Sequence, residues 1–200
     1  QIPKASDKKK YLETILDICK KNSVDVLIPQ NTIELSLLSS NIHLFSAINT
    51  KIVISSYESI EVANNKFLLM SKCKELGIPV GDFFLVNNFD DLKKHALKLG
   101  WPNKNFVVKP PVSNGMRGVR IISDSINRKH NFYNEKPSSL VISMDDLYAI
   151  LGDTFDDLIV TEFLPGNEFT VDVYRDNKNT ISIPRVRNVV RSGITFNGEL

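Results

Sequence analysis

Residues 105–122 contain the side chains of this sequence that are best suited to binding a polyphosphate. A short apolar run ends at Lys109, and the turn that follows contains Gly115, Arg117 and Gly118. Lysine and arginine neutralise phosphate charge, and glycine lets backbone N–H groups approach phosphate oxygens. An ordinary solvated hairpin has the same composition, because an isolated glycine-rich loop is a weak pattern. This segment alone therefore leaves a phosphate-binding loop and a plain hairpin as equal alternatives.

The elements before residue 64 are expected to alternate between helix and strand. Apolar periodicity and capping patterns predict, in order, helix 8–21, strand 24–29, a helix starting at Asn31 with Glu34, strand 51–54, and helix 56–63 starting at Ser55 with Glu58. Alternation of this kind predicts a parallel sheet with helices on its faces. Two strands are few for an independent sheet, and the first residue is not methionine, so we expect sequence upstream of this chain.

The residues from 64 onward are expected to combine helices with antiparallel strands. The predicted elements are helix 66–76 capped by Asn64 or Asn65, strand 82–86, helix 89–99 capped by Asn88, a hairpin of 106–109 with 119–122, a helix from Ser143 to Gly152 with Asp146, strand 158–164, and the strand pair 168–174 and 180–190. Residues 124–142 have no clear period and predict an insertion or a mobile flap. Together the two halves predict an α/β (α+β) fold.

Composition argues against several classes of function. The formal net charge of +2 is too small for a nucleic-acid-binding surface, which needs clustered basic residues on one face. No apolar run approaches the ~18 residues that span a membrane, and none resembles a signal peptide. Cys19 and Cys73 sit beside apolar residues in helical patterns and are expected to be buried free thiols, which favours a reducing, cytoplasmic location. His43, His95 and His130 lack metal-ligand spacing.

Four segments together resemble the ATP-grasp superfamily, and within it the carbamoyl-phosphate-synthase-like group of carboxylate–amine ligases. The segments are PQNTIEL (29–35), NNKFLLMSKCKELGIPV (64–80), FVVKPPVSNGMRGV (106–119) and VTEFLPGNEFTVDVY (160–174). Each is weak by itself, but their order and spacing are typical of the group. The resemblance implies a partial, Rossmann-like pre-ATP-grasp domain over 1–63, an ATP-grasp lid over 64–161, and the start of the C-terminal ATP-grasp core over 162–200.

The resemblance also implies an ATP site. Lys66 and Lys109 would bind the nucleotide phosphates, and Glu168 would accept hydrogen bonds from the ribose hydroxyls. The other implied contacts are the hinge residues Glu162, Phe163 and Leu164, whose backbone would contact adenine, and the phosphate-covering loop residues Ser113, Asn114, Gly115, Arg117 and Gly118. Without the resemblance, Lys66 also fits an exposed helix-terminal lysine and Glu168 an acid at a strand edge. With it, a phosphate-binding loop becomes the prediction for the turn after Lys109.

Three arginines near the last predicted strand, Arg185, Arg187 and Arg191, are the candidates for a catalytic role. An arginine there could hold a substrate carboxylate or stabilise an acyl-phosphate through two hydrogen bonds. Arg187 is the candidate that we favour. Arg185 and Arg187 also fit a solvent-facing pair, because residues two apart share a face of a strand.

The implied reaction is an ATP-dependent ligation that forms a C–N bond. ATP would phosphorylate a small-molecule carboxylate to an acyl-phosphate, which an amine or a similar nucleophile would attack. Magnesium would bridge the phosphates, but the acid-x-Asn-Pro-Arg segment that carries its ligands in this group does not occur before Leu200. We therefore expect the metal ligands beyond residue 200, no metal site within the chain, and an inactive, truncated piece of a ligase.

Two other functions remain open from the sequence. A non-catalytic nucleotide-sensing or interaction module could retain the ATP-grasp lid, and a coding sequence that ends at Leu200 would favour it. A weak nucleic-acid-binding protein would show a steep dependence of affinity on salt, and the small net charge fits it poorly. Neither the substrates nor the oligomeric state follow from the sequence.

Overall fold

The computed structural model describes residues 2–135, 138–176, 178–191 and 194–199. It separates into two compact units, Gln1–Leu76 and Gly77–Leu200, and each unit has its own cluster of buried apolar side chains. Within the described residues, no helix combines the length and the apolar character that crossing a membrane requires. The predicted domain boundaries at 63/64 and 161/162 stay predictions.

The first unit alternates helices with two short strands. Its elements are α1 Lys8–Lys21, β1 Val26–Leu27, α2 Thr32–Ser40, α3 Ile42–Ser46, β2 Lys51–Ile52, α4 Tyr57–Asn64 and α5 Lys66–Glu75. The two strands pair in parallel, with Val26 opposite Lys51 and Leu27 opposite Ile52. The predicted alternation and the parallel pairing are confirmed, although the paired segments are shorter than predicted.

Side-chain caps explain where the helices of this unit begin. At α2, Asn31 and Glu34 form the predicted capping box. At α4 the predicted cap is wrong by one residue, because Ser56 rather than Ser55 is the N-cap and accepts a hydrogen bond from the N–H of Ser59. A serine oxygen reaches the N–H groups two and three positions ahead of it, so only the serine next to the first helical residue can cap.

Glu34 is a buried carboxylate, and its hydrogen bonds account for its tolerance in the core. The Tyr11 hydroxyl and the N–H groups of Gln30 and Asn31 donate to it. Burial by itself raises the pKa of Glu34, but the hydrogen bonds outweigh it, and the pKa of this carboxyl is lowered. Burial and the bond to Glu34 raise the pKa of Tyr11 to about 12. A polar pair therefore joins α1 to α2 inside an otherwise apolar cluster.

The second unit contains a five-stranded and a three-stranded sheet. Its elements are β3 Phe83–Asn88, α6 Phe89–Lys98, β4 Phe106–Lys109, β5 Arg120–Ile122, α7 Arg128–Asn134, β6 Val141–Ile142, α8 Met144–Leu151, β7 Thr154–Glu162, β8 Phe169–Arg175, β9 Thr180–Arg191 and β10 Ile194–Glu199. The larger sheet has the order β3-β7-β4-β5-β6, and only its β5–β6 pair is parallel. Helices α6 and α8 contribute Leu92, Ala96 and Leu147 to the buried cluster on one face of this sheet. The predicted α/β (α+β) class is confirmed.

Residues 124–142 are more regular than predicted. They contain α7 and β6, and β6 pairs with β5 through Val141 opposite Ile121 and Ile142 opposite Ile122. No helix or strand was predicted here, and that omission was wrong. A helix of 7 residues and a strand of 2 residues are shorter than the window in which a hydrophobic period can be recognised.

The three-stranded sheet has the order β8-β9-β10 and is antiparallel throughout. Its β8–β9 hairpin is confirmed, and the Asp176 side chain accepts hydrogen bonds from the N–H groups of Lys178 and Asn179 at the turn. Strand β10 was not predicted. Its sequence includes Asn197 and Gly198, and both residue types are depleted in strands.

Candidate functional site

Lys109 is the last residue of β4, and it lies on the face of the five-stranded sheet opposite the buried cluster to which α6 and α8 contribute. Successive residues of a strand point to opposite faces. Phe106 and Val108 belong to the buried cluster that includes the helix residues Leu92 and Leu147, so they point toward the helices. The side chain of Lys109 is one position out of phase with Val108 and points to the opposite face.

The residues around Lys109 on that face form an apolar floor. Cross-strand pairing places Ile159 opposite Lys109 and Thr161 opposite Val107, and it places Ile121 on the other side of Val107. Ile159 and Thr161 are buried, so the accessible part of this floor consists of the half-buried side chains of Val107 and Ile121. An apolar surface with one ammonium group at its edge is suited to a ligand with an aromatic base and a charged tail. Sequence analysis missed these floor residues, although alternation along the predicted strand at 158–164 could have indicated them.

The loop after Lys109 consists of two overlapping turns. The N–H of Arg117 donates to the carbonyl of Asn114 at 3.3 Å, and the N–H of Val119 donates to the carbonyl of Met116 at 3.1 Å. Gly115 and Met116 both have φ of 59°, in the left-handed region that only glycine adopts without cost. The predicted hairpin loop is therefore tightly turned at the residues that were expected to cover the phosphates.

Gly118 closes this loop against its other end. Its φ is 75°, and a Cβ atom at this position would lie 2.6 Å from Cγ of Pro110. Only glycine lets the two ends of the loop approach so closely. Of the other predicted loop residues, Ser113 is half-buried, whereas Asn114 and Arg117 are exposed.

Lys66 is the first residue of helix α5, in the first unit. As predicted, Asn65 caps this helix, and its side chain accepts hydrogen bonds from the N–H groups of Phe67 and Leu68. Lys66 is half-buried, and the loss of water around its ammonium group lowers its pKa. Lys109 belongs to the second unit, so joint binding of one nucleotide by both lysines stays a prediction.

The predicted hinge coincides with the end of β7. Glu162 is the last residue of the strand, pairs with Phe106, and donates its N–H to the carbonyl of Asp82 at 3.2 Å. Phe163 and Leu164 follow outside the strand, and both are exposed. A cavity of about 580 Å³ borders this segment, and its lining residues are Leu99, Asn103, Lys104, Asn105, Ser125, Glu162, Phe163, Leu164 and Pro165. The hinge therefore adjoins a concave surface within the size range of ligand pockets.

Two ion pairs join β9 to the segment that contains β8. Arg187 pairs with Glu168, the predicted ribose-binding acid, and the N–H of Arg187 also donates to the carbonyl of Glu168 at 2.8 Å. Arg185 pairs with Asp172 at 2.5 Å. Sequence analysis missed Asp172. Alternation along β8 could have found it, because Glu168 and Asp172 lie four residues apart and so share a face.

The remaining predictions concern Arg191 and a metal. The side chain of Arg191 lies outside the part of the structure that is described. Among the described residues, no group of three or more His, Cys, Asp or Glu side chains could hold a metal ion.

Sequence comparison identifies relatives of the chain. Residues 1–53 match a family described as PylC-like, N-terminal domain. The formate-dependent phosphoribosylglycinamide formyltransferase of Bacteroides thetaiotaomicron is 24% identical over 185 residues, which make up 90% of this chain and 42% of that protein. The carbamoyl phosphate synthase large chain of a Thermoanaerobacter species is 26% identical over 148 residues, which make up 73% of this chain and 12% of that protein. The chain thus spans about two fifths or less of the length of these relatives.

Comparison with solved structures adds the fold. The biotin carboxylase of Campylobacter jejuni, solved as a complex with β,γ-ATP, superposes with a TM-score of 0.65 at 18% identity. The superposition covers 97% of this chain and 42% of the carboxylase chain. At this level of identity the similarity establishes a shared fold.

Proposed function

Because the chain belongs to the ATP-grasp superfamily, in the carbamoyl-phosphate-synthase-like group of carboxylate–amine ligases, we propose that it is the ATP-binding portion of an ATP-dependent ligase. One observation carries the proposal. Lys109 and its tightly turned loop lie on the face of the five-stranded sheet opposite the cluster that contains Leu92 and Leu147, beside the half-buried floor residues Val107 and Ile121. This arrangement fits a nucleotide whose base packs on the floor and whose phosphates extend to the lysine.

Each predicted site residue has a role in this proposal. Lys109 and Lys66 neutralise phosphate charge, and N–H groups of the loop from Ser113 to Gly118, other than that of Arg117, donate to phosphate oxygens. The backbone at Glu162, Phe163 and Leu164 reads the adenine edge, and Glu168 accepts hydrogen bonds from the ribose hydroxyls. In sequence order, the proposed domains are a pre-ATP-grasp segment over 1–63, a nucleotide-covering lid over 64–161 and the start of the core over 162–200.

The proposed reaction joins a carboxylate to an amine or a similar nucleophile. The γ-phosphoryl group passes to a carboxylate oxygen, giving an acyl-phosphate and ADP. The nucleophile then attacks the carbonyl carbon, and inorganic phosphate leaves. Phosphoryl transfer depends mainly on positioning and on neutralising charge, which is what the two lysines and the N–H donors of the loop would supply.

The cellular setting of this activity is also part of the proposal. Small-molecule carboxylates and amines are the substrates, the protein works in the cytoplasm, and magnesium assists the phosphates in the whole enzyme.

Replacing Lys109 tests the proposal directly. Lys109→Met keeps the length of the side chain and removes its charge, and we expect the dissociation constant for ATP to rise about tenfold or more, since a charge-assisted hydrogen bond is lost. Isothermal titration with ATP and magnesium chloride measures it. Lys94→Met is the matched control, because Lys94 is an exposed lysine of α6 on the helix-bearing side of the sheet. Equal ATP affinity in both variants would contradict the proposed phosphate contact.

A further inference from the structure

Glu168 is bound by a residue of the neighbouring strand β9, whereas a solvated acid at a strand edge would contact only water. Arg187 contacts it twice, through an ion pair from Nη1 to Oε1 and through a backbone hydrogen bond of 2.8 Å. The two side chains are unequally exposed, at 12% for Arg187 and 63% for Glu168. Arg187 is therefore the more buried partner of the ion pair, and the Glu168 carboxylate lies between its guanidinium group and solvent.

This geometry gives the two carboxylate oxygens of Glu168 different roles. Arg187 binds Oε1, and a carboxylate has lone pairs on both oxygens, so Oε2 retains the capacity to accept from ligand hydroxyls. A glutamate on an exposed strand edge samples several rotamers, and ordering it on binding costs side-chain entropy. An ion pair that fixes the carboxylate before the ligand arrives removes part of that cost.

We propose that Arg187 is a positioning residue that presents Glu168 to the ribose diol and so sets a preference for ribonucleotides over 2′-deoxyribonucleotides. This inference rests on the proposed ATP site. It also gives Arg187 a different task from holding a substrate carboxylate, because its guanidinium is engaged with Glu168 and is mostly buried. The selectivity follows from chemistry: a ligand without the 2′-hydroxyl makes one hydrogen bond fewer to the positioned carboxylate.

The same hairpin provides an internal control. Arg185 and Asp172 form a second arginine–carboxylate pair at 2.5 Å, with side-chain exposures of 38% and 57%. It joins the same two strands but does not include the predicted ribose acid. Removing the Arg185 charge therefore tests the general effect of losing an ion pair from this hairpin, without touching Glu168.

The test compares the dissociation constants of ATP and 2′-deoxyATP, each with magnesium chloride. We expect the unaltered chain to bind ATP about tenfold more tightly than 2′-deoxyATP, as loss of a hydrogen bond to a charged group predicts. Glu168→Gln and Arg187→Met are each expected to bring this ratio close to one, and Arg187→Met is expected to add nothing in the Glu168→Gln background. Arg185→Met is expected to keep the ratio of the unaltered chain.

The outcomes separate this inference from the proposed function. If the unaltered chain binds ATP selectively and folded Arg187→Met retains that selectivity, the positioning role is overturned while the ATP site stands. If the unaltered chain binds no ATP, both the proposed ATP site and the positioning role of Arg187 are contradicted. Should Arg187→Met unfold, as judged by circular dichroism, Arg187→Lys decides. A lysine keeps the positive charge but lacks the planar guanidinium group, so Arg187→Lys is expected to give a ratio of the two dissociation constants between one and that of the unaltered chain. A ratio equal to that of the unaltered chain would overturn the inference.

Discussion

At the residue scale, the hydrogen bond from Tyr11 to Glu34 makes the first unit sensitive to mutation. Tyr11 is 8% exposed and donates its hydroxyl to the buried Glu34 carboxylate. Tyr11→Phe leaves that carboxylate with one donor fewer, so we expect the free energy of unfolding to fall by about 1–3 kcal/mol. Urea denaturation followed by circular dichroism measures it. Tyr57→Phe, at an exposed tyrosine of α4, is the control that should leave stability unchanged.

The same pair predicts a dependence of stability on alkaline pH. The folded state raises the pKa of Tyr11 from 10.0 to about 12, so it favours the neutral phenol. This contribution to stability is fully present below pH 10 and is lost as the pH rises from 10 to about 12. Tyr11→Phe lacks the titrating group, so its stability should fall less over this window than that of the unaltered chain. Parallel loss in both proteins would show that other groups dominate.

Residue types in the candidate site could be predicted from sequence, but their partners could not. Lys109 and Glu168 were selected by their position in matching segments. That Arg187 contacts Glu168, and that Asp172 contacts Arg185, depends on the register of β8 against β9, which a shift of one residue would abolish. Register depends on the whole sheet and is not encoded in either strand alone.

At the element scale, the β4–β5 hairpin loop depends on Gly118. Gly118→Ala places a Cβ at φ 75° and within 2.6 Å of Pro110, so we expect a loss of stability of about 1–2 kcal/mol together with weaker ATP binding. Thermal unfolding followed by the fluorescence of Trp101, which lies in the same unit, gives the first quantity, and titration with ATP gives the second.

Gly152→Ala is the matched control for this prediction. Gly152 has a φ of 69° at the end of α8, with no atom within 4 Å of an added Cβ. It therefore shares the cost of a positive φ and lacks the clash, and it lies outside the loop. We expect it to reduce stability and leave ATP affinity unchanged. If Gly118→Ala also leaves ATP affinity unchanged, the loop has no part in nucleotide binding.

The elements also show why long helices were predicted well and short elements were not. Caps at Asn65, Asn88 and the Ser143–Asp146 box lie where the sequence indicates them, because a cap is a local contact between residues two or three positions apart. Strand β6 is defined by its pairing with β5 and by the packing of Ile142 in the buried cluster, and both are tertiary contacts that have no local pattern. The same limit applies to the floor of the site, which is assembled from β4, β5 and β7.

At the scale of the whole molecule, the predicted ATP contacts come from residues of both compact units. Lys66 belongs to the first unit, whereas Lys109 and the predicted hinge and ribose contacts belong to the second. The proposal that one nucleotide contacts all of these residues therefore claims more than binding to the loop after Lys109 alone. It requires that ATP shifts the amide signals of residues in both units, and that all of these shifts follow the same dissociation constant.

Mapping ATP binding by two-dimensional ¹⁵N–¹H NMR tests the central claim most directly, because it reads weak as well as tight binding residue by residue. Titration with ATP and magnesium chloride is expected to shift the amide signals of residues 107–119, 162–168 and the start of α5 with one common dissociation constant, and to leave the exposed side of α6 unchanged. Shifts confined to the helix-bearing side of the sheet, or no saturable shifts at all, would contradict the account.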